Sequence, residues 1–145
     1  MDDKATPPAR PGIAELQAFL AEAFPHDANP PVVEALGPGT ARLRLPFHPG
    51  HLRPGGTLSG PAMMALTDRA LYVAILHRIG LEPMTVTTSL TINFLRKPRA
   101  DDLIADARIL RLGRLLVVGE VTLSSPGEAD PVAHATLTYA IPQAR

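Results

Sequence analysis

Residues 59–80 form a stretch of small and apolar side chains with the signals of a single helix at both ends. Ser59 or Gly60 can cap its start, Pro61 suits its first turn, and Gly80 suits its end. Three strongly polar side chains interrupt the stretch between positions 62 and 76: Thr67, Asp68 and Arg69. A helix that is apolar nearly all round has to be covered on most sides. We therefore expect the rest of the chain to enclose this one helix.

The chain after residue 80 has the alternation of apolar and polar side chains that is typical of half-buried strands. Four long strands are predicted there: Thr85–Leu95, Leu103–Leu112, Leu115–Ser124 and Val132–Ile141. In the first of them, one face is expected to carry Val86, Leu90, Ile92 and Phe94. In the last, one face is expected to carry Ala133, Ala135, Leu137, Tyr139 and Ile141. A spacing of roughly 12 residues between strands favours hairpins, and so an antiparallel sheet, over crossover helices.

The first third of the chain predicts an additional helix and two short strands. Apolar residues recur at spacings of three and four over Ile13–Phe24, and Pro25 ends this helix. The short strands, Val32–Leu36 and Ala41–Leu45, are separated by a turn over residues 37–39.

These elements predict one domain of the α+β class, in which a long antiparallel sheet wraps around the central apolar helix. Residues 1–11 are rich in proline and are expected to be a disordered lead-in, and residues 12–145 are expected to form the single domain. Long strands at the edges of such a sheet favour pairing with a second copy, so we expect a dimer.

Composition excludes several classes of function. The 145 residues carry Lys+Arg 14 and Asp+Glu 14, and this balance argues against a nucleic-acid-binding protein. Because Cys is absent, disulfides, thiolate zinc sites and cysteine nucleophiles are excluded. The apolar run Leu71–Leu76 is too short to span a membrane, and the N-terminus lacks a signal-type segment, so we expect a cytoplasmic protein. The histidines do not form the i, i+4 pair of a zinc helix, and no metal is expected.

Asp68 is the first candidate functional residue. A carboxylate within an apolar helix costs several kcal/mol unless it is paired or hydrogen-bonded. It could form a structural ion pair, for example with Arg69 of a neighbouring chain. Alternatively, it could act as a general base or nucleophile that is tuned by its apolar surroundings.

The start of the helix is the second candidate. Small residues over 55–61 allow a ligand to approach the backbone, and free N–H groups at a helix start suit an oxyanion or a phosphate. Ser59 and Asp68 are separated by about 13 Å along the helix, so the two candidates are expected to share a small site only across a symmetric dimer. Further along, a basic cluster of Arg96, Lys97 and Arg99 could meet a phosphorylated ligand.

Three segments together resemble the hotdog-fold acyl-CoA thioesterases, and in particular the PaaI-like branch of the 4-hydroxybenzoyl-CoA thioesterase superfamily. These segments are Gly56-Thr57-Leu58-Ser59-Gly60, Leu66-Thr67-Asp68 and Leu90-Thr91-Ile92-Asn93-Phe94-Leu95-Arg96. The likeness runs from about Val32 to Ile141 and includes the order of the elements. It implies a hotdog fold, hydrolysis of a CoA thioester without a cofactor, and a homodimer that could pair further into a dimer of dimers.

The resemblance implies that Asp68 is the general base or nucleophile, and that the backbone N–H of Gly60 is the oxyanion donor from the other chain of the dimer. Thr87 matches a Ser or Thr placed beside the attacking water. Ser59 and Arg53 stand where the family has a His and an Asn, and Ser59 keeps a hydroxyl at the catalytic position. The substrate-binding residues that the resemblance implies are Arg53, Gly56, Thr87, Arg96, Lys97, Gly113 and Arg114. The last four match positions that often hold the nucleotide end of CoA.

Two other functions stay open from the sequence. The chain could be a hotdog dimer that binds an acyl-CoA without efficient hydrolysis, because the family's His and Asn are replaced. It could also be a purely structural dimer in which Asp68 pairs with an arginine.

Overall fold

The computed structural model describes residues 10–143, which form two α-helices, six β-strands and one turn of 3-10 helix. In chain order these are α1 (Ile13–Ala23), β1 (Val32–Gly37), β2 (Thr40–Leu45), the 3-10 turn (Pro49–His51), α2 (Gly60–Ile79), β3 (Val86–Phe94), β4 (Leu103–Leu112), β5 (Leu116–Ser124) and β6 (Ala133–Ala140). The predicted helices and strands are confirmed, with ends that differ by one residue at most. The predicted lead-in falls mostly on residues 1–9, which lie outside the described residues.

The six strands form one antiparallel sheet in the order β1-β2-β4-β5-β6-β3. Sequential hairpins explain the central run of β4, β5 and β6. β3 precedes β4 in the chain but pairs with β6, so β3 and β1 are the two edges of the sheet. The loop after β3 passes the positions of β6 and β5 to reach β4, which lies in the interior of the sheet between β2 and β5.

α2 packs on the sheet through an apolar core that it shares with β2, β4, β5 and β6. Its C-terminal half is almost completely buried, including Leu71, Val73, Ile75 and Leu76. The sheet positions that face α2 carry small or branched side chains, for example Ala105 on β4 and Val121 on the paired strand β5. The apolar character of the helix is therefore satisfied by the sheet over most of its length, as the sequence predicts.

One stripe of α2 is not covered. Pro61, Met64 and Ala65 are exposed, and Asp68 continues the stripe at helical spacing, half-buried. The stripe lies in the N-terminal half of the helix, toward the same side of the molecule as the edge strand β3. An apolar stripe that the chain itself leaves open is typical of a contact with another molecule.

A β-bulge in β3 changes which side chains face the helix. Thr87 lies opposite Tyr139 and Ser89 lies opposite Thr138, so Thr88 is the extra residue. Directly opposed residues of an antiparallel pair point to the same face, and Tyr139 is buried beside α2. Thr87 consequently faces the helix. The expectation that Val86 shares a face with Leu90 is wrong, because the bulge shifts the alternation by one residue and leaves Val86 46% exposed.

We predict that Gly119→Ala destabilises the protein by about 1–3 kcal/mol through overpacking. A Cβ added at Gly119 on β5 would collide with the Leu71 side chain of α2 and would lie 2.9 Å from the backbone oxygen of Arg108. The free energy of unfolding, measured by urea denaturation, checks this. Shortening Leu71 to Ala in the same chain should relieve part of the collision, so the two changes should cost less together than the sum of their separate costs. Strict additivity would contradict the packing described here.

Candidate active site

The Asp68 carboxylate lies at the opening between α2 and the β3–β6 pair, where two hydroxyl groups hold it. Thr87 Oγ1 donates to Asp68 Oδ1 at 2.6 Å, and Tyr139 OH donates to the same oxygen at 2.5 Å. The Tyr139 hydroxyl also lies 2.7 Å from the backbone oxygen of Asp68. Asp68 Oδ2 accepts no hydrogen bond from residues 10–143. The carboxylate is therefore anchored through one oxygen and has the other available.

Tyr139 is a site residue that the sequence reasoning missed as a functional group. The sequence pattern predicts it only as a member of the buried face of the last strand, and it is 2% exposed. Its ring stacks on Tyr72 with centroids 6.2 Å apart and an interplanar angle of 15°. Burial, and next the neighbouring Asp68 carboxylate, raise the pKa of Tyr139 well above its ordinary value. The only sequence signal was a polar tip on an otherwise aliphatic strand face.

A cleft of about 480 Å³ opens beside Asp68. Aromatic and apolar side chains form much of its wall, and the aromatic members are Phe24, Tyr72 and Tyr139. Its polar groups are Thr85, Thr87, Arg69 and the Asp68 carboxylate. An apolar cleft with a few convergent polar groups is the usual form of a small-molecule site.

Arg69 does not pair with Asp68 within the chain. Its guanidinium lies 3.7 Å from the centroid of the Phe24 ring, and its Nη1 lies 3.5 Å from Asp27 Oδ2. In the part of the chain that the structure describes, no Lys, Arg or His nitrogen lies within 4.0 Å of the Asp68 carboxylate. A structural ion pair for Asp68 has no support within a single chain.

The start of α2 presents one free backbone donor. Ser59 is the N-cap, and its side chain accepts a hydrogen bond from Ala62 N at 3.2 Å, while Met63 N bonds to the Ser59 carbonyl at 3.1 Å. Pro61 has no N–H group. Gly60 N has no acceptor among the described residues, so it is the unpaired N–H of this first turn. The helix dipole adds partial positive charge at the same place.

Gly60 also lies against the end of β3. A Cβ built on Gly60 would be 3.6 Å from Phe94 Cζ, an ordinary contact distance. Asp68, in contrast, is bonded to Thr87 near the beginning of that strand. The two candidate groups are about 12 Å apart along the helix axis and so belong to opposite ends of β3.

The loop before α2 is held by its own backbone. Arg53 N bonds to the Thr57 carbonyl at 2.9 Å, and Gly56 N bonds to the Arg53 carbonyl at 3.0 Å. Gly56 has a φ of 77°, which favours glycine at this turn. The Arg53 side chain is exposed, and the structure does not bring it close to Asp68.

The four residues assigned to the nucleotide end of CoA fall into two separate groups. Gly113 and Arg114 form the β4–β5 turn, at the end of the sheet where β3 begins. Arg96 and Lys97 follow the other end of β3, and Arg96 is 3.7 Å from Asp130. Nine strand residues separate these ends by about 30 Å. Within a single chain the strand itself keeps the two groups apart, and the assignment of these four residues to the nucleotide end of CoA stays a prediction.

No three His, Asp or Glu side chains of residues 10–143 are arranged so that they could hold a metal ion. Neither helix of that range is both long enough and apolar enough to cross a bilayer.

With this geometry established, comparison with known proteins identifies the family. Residues 55–131 match the family model of the Thioesterase superfamily, a span that includes α2, β3, β4 and β5. The chain belongs to the Thioesterase superfamily, and the six-stranded sheet around α2 is its hotdog fold.

Three individual proteins show the likeness in more detail. A solved structure from a Silicibacter species, named a "putative thioesterase", is 42% identical, covers 90% of this chain and 92% of its own, and has a TM-score of 0.82. A mutant of the phenylacetic acid degradation protein PaaI from Thermus thermophilus is 27% identical, covers 80% of this chain and 96% of its own, and has a TM-score of 0.70. A "putative esterase" of Halobacterium salinarum is 31% identical over 101 residues, which is 66% of this chain and 66% of that protein. The predicted resemblance to the PaaI-like thioesterases is confirmed.

We predict that Ser59→Ala lowers the free energy of unfolding by about 1 kcal/mol, because the Ala62 N–H loses its capping acceptor. Ser59→Asp should retain the stability, since Asp is an equally good N-cap. Chemical denaturation of the three proteins tests this. Equal stability of the Ala and wild-type proteins would show that the Ser59 hydroxyl has no capping role.

Proposed function

We propose that the protein is an acyl-CoA thioesterase, which hydrolyses a CoA thioester to a free acid and CoA. The observation that carries this proposal is the Asp68 carboxylate, which two hydroxyls hold through Oδ1 at the opening of an apolar cleft. Carboxylates without a cationic partner in such surroundings are typical of general bases and nucleophiles.

In one form of this mechanism Asp68 removes a proton from the attacking water, the C–S bond of the resulting adduct breaks, and Asp68 returns the proton to the leaving CoA sulfur. In the other form Asp68 attacks the thioester carbonyl, and the C–S bond breaks to leave a mixed anhydride and the CoA thiolate. Water then hydrolyses the anhydride to the free acid and Asp68, and the proton released from that water goes to the thiolate. The negative charge that develops on the carbonyl oxygen is stabilised by a hydrogen-bond donor that is already in position. The free Gly60 N–H supplies this donor, at the end of the helix where the dipole adds partial positive charge. No cofactor is needed for these steps.

The active unit is a homodimer in which each site takes Asp68 from one subunit and Gly60 from the other. β3 is an edge of the sheet, and its face toward α2 ends at Phe94, which is 48% exposed. The apolar stripe of α2, formed by Pro61, Met64 and Ala65, lies beside this edge. Two β3 strands related by a two-fold axis near their middle would run antiparallel. Thr87, which holds Asp68, would then lie opposite the C-terminal end of the partner's β3. In each subunit, Gly60 lies against Phe94 at that end of the strand.

The same pairing reunites the two basic groups. The beginning of β3 lies at the sheet end of Gly113 and Arg114, and the partner's Arg96 and Lys97 would extend toward that end. Arg114 forms no ion pair within residues 10–143, which leaves it available for a phosphate. We assign the nucleotide end of CoA to this region.

A second candidate is an acyl-CoA-binding dimer that does not hydrolyse its ligand. It is favoured by the role of Ser59, whose hydroxyl caps α2 and replaces the imidazole of the family motif. A hydroxyl cannot carry a proton as imidazole does at neutral pH. Saturable binding of CoA esters without thiol release would identify this function.

Asp68→Asn is expected to reduce thiol release about 100- to 10,000-fold, because the amide can neither accept the proton of water nor attack the carbonyl. The measurement compares both proteins on short, medium, long-chain and aromatic acyl-CoAs, with gel filtration to show that the variant keeps the wild-type assembly. Undiminished turnover in the variant would contradict the proposed role of Asp68.

A mixed dimer tests whether the site is shared. Gly60→Pro removes the N–H at a first-turn position that tolerates proline, and should reduce turnover about 100- to 1,000-fold. Gly60→Ala keeps the N–H and is the matched control. A dimer of one Asp68→Asn and one Gly60→Pro subunit, isolated with two affinity tags, would have one intact site and one doubly defective site. We expect about half of the wild-type activity if the site is shared, whereas a site within one chain would leave almost none.

A further inference from the structure

We infer that Tyr139 is a positioning residue. Its hydroxyl holds Oδ1 of Asp68 by a hydrogen bond, so that Oδ2 is the oxygen that reacts. This inference rests on the proposed function, since it specifies how the same carboxylate is presented to the thioester. It follows from the two donors on Oδ1, at 2.5 Å and 2.6 Å, and from the absence of a donor to Oδ2 among residues 10–143.

The hydroxyl of Tyr139 is fixed on several sides. Its strand lies between β5 and β3, and its ring stacks on Tyr72 of the same helix that carries Asp68. The hydroxyl reaches both the side chain and the backbone oxygen of Asp68. These contacts restrict the carboxylate to one orientation relative to the helix. Since burial raises the pKa of Tyr139, the phenol stays protonated and remains a donor at neutral and mildly alkaline pH.

Thr87 is a weaker anchor than Tyr139. It lies directly beside the bulge at Thr88, and its short side chain can rotate between staggered positions. Tyr139 comes from an interior strand and is 2% exposed. Of the two donors, the tyrosine is therefore the one that determines where Oδ2 lies.

Tyr139→Phe is the direct test, because it keeps the ring and its stack on Tyr72 and removes only the hydroxyl. We expect kcat to fall about 10- to 100-fold, the range for one hydrogen bond to a charged group, while KM changes less than about threefold. Thr136→Val removes a hydroxyl from the outer face of the same strand and should leave both kinetic constants unchanged.

A second readout does not depend on turnover. In protein labelled with ¹³C at the Asp side-chain carboxyl carbons, the Asp68 signal is the one that disappears in Asp68→Asn. Its chemical shift at neutral pH should change in Tyr139→Phe, because the hydroxyl bonded to Oδ1 is removed, and stay unchanged in Thr136→Val. If no ester is hydrolysed but this change is seen, the hydrogen bond stands and the proposed function fails. If esters are hydrolysed but neither kcat nor the chemical shift changes in Tyr139→Phe, the positioning role is overturned.

If Tyr139→Phe does not fold, a fluorinated protein gives the same information. The chain has only two tyrosines, so in a Tyr72→Phe background 3-fluorotyrosine enters at position 139 alone. Fluorine makes the phenol a stronger donor, so the chemical shift of the Asp68 carboxyl carbon should differ between the fluorinated protein and the unlabelled protein of the same background. An identical chemical shift in the two proteins would contradict the inference.

Discussion

The hydrogen bonds to Asp68 Oδ1 depend on how α2, β3 and β6 are placed against one another. A half-buried carboxylate on an apolar helix is costly without donors, and its two donors come from neighbouring strands, Thr87 on β3 and Tyr139 on β6. These residues lie opposite each other only because the bulge at Thr88 turns Thr87 toward the helix. The hydrogen bonds to this one oxygen atom therefore depend on the order of the strands, on the bulge and on how deep α2 lies beneath the sheet.

A single chain leaves this arrangement incomplete in a specific way. The free N–H of Gly60 and the carboxylate of Asp68 lie on the same helix but at opposite ends of β3. The same strand is the open edge of the sheet, and the uncovered stripe of α2 lies beside it. Exposed apolar surface and an incomplete site therefore coincide, and a second copy of the chain would satisfy both requirements. This is why we place the proposed reaction between two subunits.

Much of the fold could be predicted from the sequence because its signals are local. The capping residues of α2, its apolar composition and the alternation along β4, β5 and β6 each depend on neighbours in the chain, and their predictions are confirmed within one residue. The bulge in β3 could not be predicted in this way. A bulge is defined by the partner strand. Thr88 interrupts the apolar positions of this strand, but the sequence does not distinguish a polar residue on the inner face from the extra residue of a bulge.

The candidate site shows the same difference between features that are visible in the sequence and features that depend on tertiary contacts. The sequence by itself singled out Asp68 and the helix start, since a lone carboxylate among apolar residues and a glycine-rich helix start are visible in one dimension. Only the tertiary structure decided which atoms are free, because hydrogen bonds to Asp68 come from residues 19 and 71 positions away. It also separated Arg96 and Lys97 from Gly113 and Arg114, which lie at opposite ends of the sheet. Chain order specifies residue types and local conformation, whereas distances between strands are set by how the sheet is paired.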